Sequence, residues 1–210
     1  MKFKMFIVFL SIFNTIFCDY IEFFNKSLMK VYHRETPKSY IDRAIALFKK
    51  RNGKVIVELG SMRFPLTHNL DTERCAYCMD GHSTLLWART NAELYTVDIG
   101  PKTIEIATEA CQNYPHVTAV LQDGIEFLNN FNKPIDLLFL DAWDAVPDTN
   151  YAEKHLEAYQ AAKKNLHDNS LILIDDTDVY EGGKGRLIIP QAIIDGYKVI
   201  FSGRQTLLSK

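Results

Sequence analysis

The sequence predicts an α/β fold: a doubly wound, mostly parallel seven-stranded sheet that finishes in an antiparallel C-terminal hairpin. Three observations carry this. Five apolar runs each end on a carboxylate: Lys54-Val-Ile-Val-Glu58, Tyr95-Thr-Val-Asp98, Leu121-Gln-Asp123, Leu138-Phe-Leu-Asp141 and Ile172-Leu-Ile-Asp175-Asp176. Helical patterns alternate with these runs, as βαβ units and a parallel sheet require. The last two apolar runs, Tyr197-Lys-Val-Ile-Phe201 and Gln205-Thr-Leu-Leu208, are separated only by Ser202-Gly203-Arg204. So short a connection joins only antiparallel strands.

The elements follow in order. In residues 1–18, Lys2 and Lys4 precede an apolar stretch broken only by Ser11, Asn14 and Thr15, and Cys18 leads into Asp19. The stretch is shorter than the roughly 20 residues of a spanning helix. Its length and basic flank suit a secretory signal or short anchor. Export or membrane attachment through this leader is the expectation, and a cytoplasmic protein with an apolar N-terminal helix is the alternative. Residues 19–53 form an N-terminal helical segment. Within it Thr36-Pro37 opens a helix, Ile41, Ala44, Ile45 and Phe48 recur at helical spacing, and Asn52-Gly53 stops it. Strands are expected at 54–59, 94–98, 117–121, 135–140 and 170–175, with helices at 83–90, 101–113, 125–131 and 151–166.

A chain of 210 residues suits one domain with a sizeable core. A net charge of −2 supplies no basic field, so a small molecule and not nucleic acid is the expected partner. Beyond the leader, Cys75, Cys78 and Cys111 make no disulfide framework. Cys75-Ala-Tyr-Cys78, with His68 and His82 as possible partners, is a single pair; two small loop residues is the simpler reading, a redox pair or half a zinc site the other. No Gly-x-Gly-x-x-Gly follows the first strand, which disfavours a nicotinamide reductase.

In open α/β sheets ligands bind outside the carboxyl ends of the strands. Glu58, Asp98, Asp123, Asp141, Asp175 and Asp176 should therefore converge on one crevice. Adjacent parallel strands lie about 4.8 Å apart, so Asp141, Asp175 and Asp176 could share a divalent cation. Magnesium suits such an oxygen-only environment. Hydrated acids, or an acid capping the next helix, are the alternative.

Through these acidic strand ends and the terminal hairpin, residues 54–208 resemble the class I S-adenosylmethionine-dependent methyltransferases. The paired ends at Asp141 and Asp175-Asp176 resemble those of the metal-dependent and macrocin-type O-methyltransferases. The resemblance implies a Rossmann-like methyltransferase domain over residues 54–210, with S-adenosylmethionine as cofactor, alone or together with Mg2+. Its first motif is split here into Glu58-Leu-Gly60-Ser61 and Asp80-Gly81-His82-Ser83-Thr84, around an insertion at 62–79. A loop of that length inside a compact domain reads as a lid. Glu58, Gly60, Ser61, Gly81, His82 and Ser83 would surround the methionine part of the cofactor. Glycine lets the backbone approach, and a helix start at Ser83 offers N–H groups to a carboxylate.

The resemblance further implies that Asp98 accepts the ribose hydroxyls and that Asp123 with Gly124 forms the adenine-contacting turn, although aspartate at 123 also suits a helix cap. Asp141, Asp144 and His82 are the candidate catalytic residues, the last two as general bases. Asp141, Asp175 and Asp176 would hold the metal, which would lower the pKa of a substrate hydroxyl and align it. Trp143 could stack on the cofactor or a substrate ring, and His155 reads as an ordinary helix residue. Glu181-Gly-Gly-Lys-Gly-Arg186 reads as a flexible substrate-side loop, with Lys184 or Arg186 meeting an anionic substrate or simply solvated. Methyl transfer to a small-molecule oxygen is thus expected. Transfer to nitrogen, or a non-catalytic exported binding module on the same fold, are the alternatives.

Overall fold

The computed structural model describes residues 37–66 and 82–210. The leader, Cys75, Cys78, Gly81 and most of the 62–79 insertion lie outside the described residues.

The first helix, α1 (Pro37–Lys50), buries Tyr40, Ile41, Ala44 and Phe48 at the spacing of one helical face. Lys49 and Lys50 in its last turn complement the helix dipole. The strands are β1 (Val55–Leu59), β2 (Glu93–Asp98), β3 (Val117–Leu121), β4 (Ile135–Leu140), β5 (Leu166–Ile174), β6 (Lys198–Phe201) and β7 (Thr206–Ser209). They form one sheet in the order β3-β2-β1-β4-β5-β7-β6. β7 runs antiparallel to both β5 and β6, so it alone is reversed.

Between the strands lie α2 (Ser83–Ala88), α3 (Pro101–Ala110), α4 (Gly124–Asn130), α5 (Tyr151–Ala162) and α6 (Ile188–Ile194). Successive strand residues face opposite sides, and the core divides accordingly. Ile56, Leu94, Phe139 and Leu173 pack with residues of α1, α2 and α3. Val57, Leu138, Ile172 and Leu208 pack with residues of α4, α5 and α6. Burial on both faces explains why β1 reads as a continuous apolar run. Each fully buried Leu or Ile here contributes roughly 1.5–3 kcal/mol.

Two boundaries differ most from expectation. β5 begins at Leu166 and not at 170, because polar His167-Asp168-Asn169 conceals its start. The register with β4 slips between Ile135 and Leu137, and Ser170 bridges the slip: its Oγ donates to Ile135 O at 2.6 Å and accepts from His167 N at 2.8 Å. α5 correspondingly ends at Ala162, followed by a 3-10 turn over Lys163–Asn165. Among the described residues no helix is long and apolar enough to cross a membrane.

Candidate active site

The turn after β1 sets the geometry. Gly60 has φ +90, and a Cβ there would stand 2.7 Å from the Asp141 carbonyl oxygen. Only glycine accepts both conditions. Gly60 N donates to Val97 O at 2.9 Å, which locks the turn to β2. The next residue then presents Ser61 N to Asp98 Oδ2 at 3.1 Å, while Gly100 N donates to Asp98 Oδ1 at 2.7 Å. Two backbone donors thus fix the Asp98 carboxylate, and each oxygen keeps a second acceptor site. Ser61 is buried, and its Oγ accepts from Thr96 Oγ1 at 2.7 Å.

Asp123 caps α4: its Oδ1 accepts from Ile125 N at 2.9 Å and Glu126 N at 3.0 Å. Gly124 lies so close to β1 that a Cβ would meet Leu59 Cδ1 at 3.0 Å. These ends surround a cavity of about 280 Å³, near the lower bound for small-molecule sites. Gly60, Asp98, Asp123, Gly124, Trp143 and Asp144 line it, together with Ile99 and Arg63.

Other expected site residues lie behind this cavity. Glu58 is fully buried; its Oε1 accepts from Ser83 Oγ at 2.6 Å and its Oε2 from Thr84 Oγ1 at 2.7 Å. Burial pushes its carboxyl up to about 7, against the opposing pull of the Ser83, Thr84 and Thr96 hydroxyls. His82 is buried at the start of α2. Neither it nor Glu58, Ser61 or Ser83 lines the cavity formed by the described residues.

The other three acids do converge. Asp141 N donates to Leu59 O and Asp175 N to Leu140 O, so the backbone ladder continues past the strand ends and brings Asp141, Asp175 and Asp176 oxygens within 4.8 Å of one another. A cation already lies among them. Lys184 Nζ is 2.6 Å from Asp141 Oδ1 and 3.1 Å from Asp176 Oδ2, on a residue only 1% exposed. Burial works against this ammonium, but Asp141, Asp175 and Asp176 outweigh it and hold its pKa above the ordinary lysine range. Arg204 pairs with Asp176, and Gln205 Nε2 donates to Asp175 Oδ1 at 3.0 Å. Burial, reinforced by Asp141, raises the Asp175 carboxyl well above its usual range.

The backbone that delivers Lys184 is unusual. Tyr180, Glu181, Gly182 and Gly183 all have positive φ. A Cβ on Gly183 would fall 1.7 Å from Asp176 O. Lys184 N donates to that same oxygen at 3.3 Å. The Glu181–Arg186 stretch, expected to be a flexible substrate-side loop, therefore turns Lys184 inward; Arg186 points elsewhere and stands 3.7 Å from Glu153.

Asp144 at the cavity wall accepts from Arg63 Nη2 at 2.6 Å and Nη1 at 3.2 Å. Arg63 holds its carboxyl below the usual range, which weakens it as a base. Trp143, at φ +46, meets His155 edge-on at 5.2 Å. His155 is fully buried, with Nδ1 2.6 Å from Tyr151 O. A carbonyl only accepts, so the proton sits on Nδ1, and Nε2 has no hydrogen-bond partner. Burial lowers this imidazole to about 4.

Sequence reasoning missed Ile99, Arg63 and Arg204, and misread Lys184. Ile99 directly follows the strand-end acid and is 73% exposed, a position that an acid-then-apolar pattern could have flagged. Arg63 and Arg204 carry no local signal, since their partners are remote in sequence.

No protein-family model matches this chain, and no curated protein matches it. Solved structures do. An O-methyltransferase from Bacillus cereus in complex with SAH is 15% identical and has a TM-score of 0.56, over 91% of this chain and 90% of that one. The N-methyltransferase NodS from Bradyrhizobium japonicum is 13% identical at TM-score 0.54, over 81% and 92% of the two chains. The SAH-bound methyltransferase PaMTH1 of Podospora anserina is 19% identical at TM-score 0.51, over 79% and 75%. At these identities the likeness establishes the class I methyltransferase fold.

Proposed function

We propose that this protein is an S-adenosylmethionine-dependent methyltransferase acting on an oxygen of a small molecule. The observation that carries the reading is Asp98, held rigidly by Ser61 N and Gly100 N beside the glycine turn at the end of β1. A fixed carboxylate with spare acceptor sites suits the two ribose hydroxyls. Ile99, Asp123 and Gly124 line the same cavity and would hold the adenine there, Ile99 by apolar contact. Gly60 leaves the backbone bare where the methionine arm would pass.

Bound S-adenosylmethionine supplies an electrophilic methyl group on a sulfonium. What this chain contributes is orientation of the acceptor. Proximity is the main catalytic resource for a direct displacement between two bound partners. Trp143 and Asp144 line the cavity; Trp143 would form an apolar wall, and Asp144 would accept a hydrogen bond from the acceptor hydroxyl. Oxygen is favoured as acceptor because the O-methyltransferase neighbour follows this chain over 91% of its length, against 81% for the N-methyltransferase. Magnesium, expected from the acids alone, takes no step in this reading, because Lys184 and Arg204 already hold Asp141 and Asp176.

Titration of S-adenosylmethionine and its demethylated product into the purified protein by calorimetry tests the cofactor. Saturable binding with one site supports the reading. Absence of binding would transfer it to a non-catalytic binding module. A radiolabelled methyl donor with a panel of phenols, sugars and amines then separates oxygen from nitrogen acceptors.

A further inference from the structure

We propose that Lys184 is the resident cation of the strand-end acid cluster, standing where a divalent ion would sit between Asp141, Asp175 and Asp176 and closing the cluster to metal. This deepens the methyltransferase reading, and rests on it only for the identity of the cavity lined by Ala142, Trp143 and Asp144, the residues that follow Asp141.

The three carboxylates alone have the donor chemistry for Mg2+ or Mn2+, and their oxygens lie within 4.8 Å of one another. Two observations set them apart from a metal site. First, the ammonium stands between two of the acids: Lys184 Nζ lies 2.6 Å from Asp141 Oδ1, 3.2 Å from Asp141 O and 3.1 Å from Asp176 Oδ2. A divalent ion bound at about 2.1 Å to either Asp141 oxygen would lie beside this ammonium, and the two positive charges would repel across a dry site. Second, two further oxygens are engaged from outside. Arg204 takes Asp176 Oδ1, and Gln205 Nε2 donates to Asp175 Oδ1. Three carboxylates thus face two fixed cations, a near balance that an added dication would overturn.

The lysine is enclosed by protein. Its side chain is 2% exposed, so it does not touch substrate and is a positioning residue acting through Asp141. The backbone at Gly183, which admits no side chain against Asp176 O, directs it inward. Removing the ammonium while leaving Arg204 would leave a cluster short of positive charge, with the oxygen set a divalent ion prefers.

The test is Mn2+ binding, read from the electron-spin signal of free Mn2+, on metal-stripped wild-type protein and on Lys184→Ala. Wild-type protein should take up no Mn2+ up to about 1 mM, the weak end of carboxylate sites. Folded Lys184→Ala should bind one ion, and Asp141→Asn added to it should abolish that binding. A wild-type protein that binds one Mn2+ below about 1 mM overturns the proposal, as does a folded Lys184→Ala that binds none. Should Lys184→Ala not fold by circular dichroism, Lys184→Met, which keeps most of the stem's packing, is read in its place. The wild-type titration decides independently of both. None of these readouts uses the cofactor, so loss of the methyltransferase reading would leave this result standing.

Discussion

Glu58 Oε1 accepts a hydrogen bond from Ser83 Oγ at 2.6 Å, and the adjacent Thr84 hydroxyl takes the other carboxylate oxygen at 2.7 Å. These residues flank the 62–79 insertion, so the two halves of the divided first motif are joined at the buried end of β1. The same burial that secures the link makes the carboxylate costly to ionise.

That cost predicts an opposed pair of pH dependences. Glu58 is raised from 4.5 to about 7 in the folded protein, so folding favours its protonated form. Its contribution is complete below pH 4.5 and is lost as pH rises through 7. His155 is lowered from 6.5 to about 4; its contribution is complete above 6.5 and is lost as pH falls through 4. Each is worth roughly 3 kcal/mol, and between pH 4.5 and 6.5 the slopes oppose each other. Urea denaturation of wild-type protein should therefore show little pH dependence from these groups in that window. Glu58→Gln should unmask a steady rise in stability from pH 4 to 6.5. Parallel profiles for the two proteins would refute the assignment.

The ribose assignment is tested at Asp98. Hydrogen bonds to a charged acceptor contribute about 1.5–3 kcal/mol each. Asp98→Ala should weaken binding of the demethylated cofactor by roughly a hundredfold or more. Calorimetry with a parallel thermal melt separates this from unfolding, since Ser61 N and Gly100 N also lose their acceptor. An affinity within tenfold of wild type would remove Asp98 from the site.

Much of this architecture is legible in the chain because its signals are local. An apolar run ending at Asp98 or Asp141 marks a buried parallel strand without reference to any other residue. The short link 202–204 dictates the reversed β7 in the same way. Asp98 and Asp123 line a separate cavity, which Glu58 does not, whereas Asp141, Asp175 and Asp176 stand together because the ends of adjacent parallel strands must be neighbours. What fills the space between them was not legible. Lys184 sits in a glycine-rich stretch that looks solvated, and its burial depends on Asp176 O, Asp141 and the left-handed backbone before it. Glu58 shows the same limit: an acid at a strand end is visible, but its capture by Ser83 and Thr84 is a contact across an insertion.

Two glycines with almost the same φ separate strain from collision. Gly196 has φ +93 and nothing within 4 Å of a built Cβ, whereas Gly60 has φ +90 and would place Cβ 2.7 Å from Asp141 O. Gly196→Ala should cost about 1–2 kcal/mol, the penalty of the backbone conformation alone. Gly60→Ala should cost about 2 kcal/mol more, because the obstruction is backbone and cannot rotate away. Chemical denaturation of the two variants measures the difference; equal losses would mean that the β1 turn yields freely around Asp141.

The role of Asp144 turns on how Arg63 holds it. The pair is partly solvated, with side-chain exposures of 38% for Arg63 and 61% for Asp144, so it adds only about 0–1 kcal/mol to stability. Its consequence is chemical: a carboxyl held below its ordinary range accepts a hydrogen bond well but takes a proton reluctantly. Asp144→Asn should leave the melting temperature and cofactor affinity nearly unchanged and raise KM for the acceptor, with kcat reduced less than about tenfold. A general base would behave differently, since its removal typically costs 10²–10⁴ in rate, or about that order. With Asp144 as an orienting group, the rise of kcat with pH should follow the ionisation of the acceptor's own hydroxyl and persist in the variant. A collapse of kcat together with loss of that rise would instead make Asp144 the proton acceptor, and would require Arg63 to release it when substrate binds.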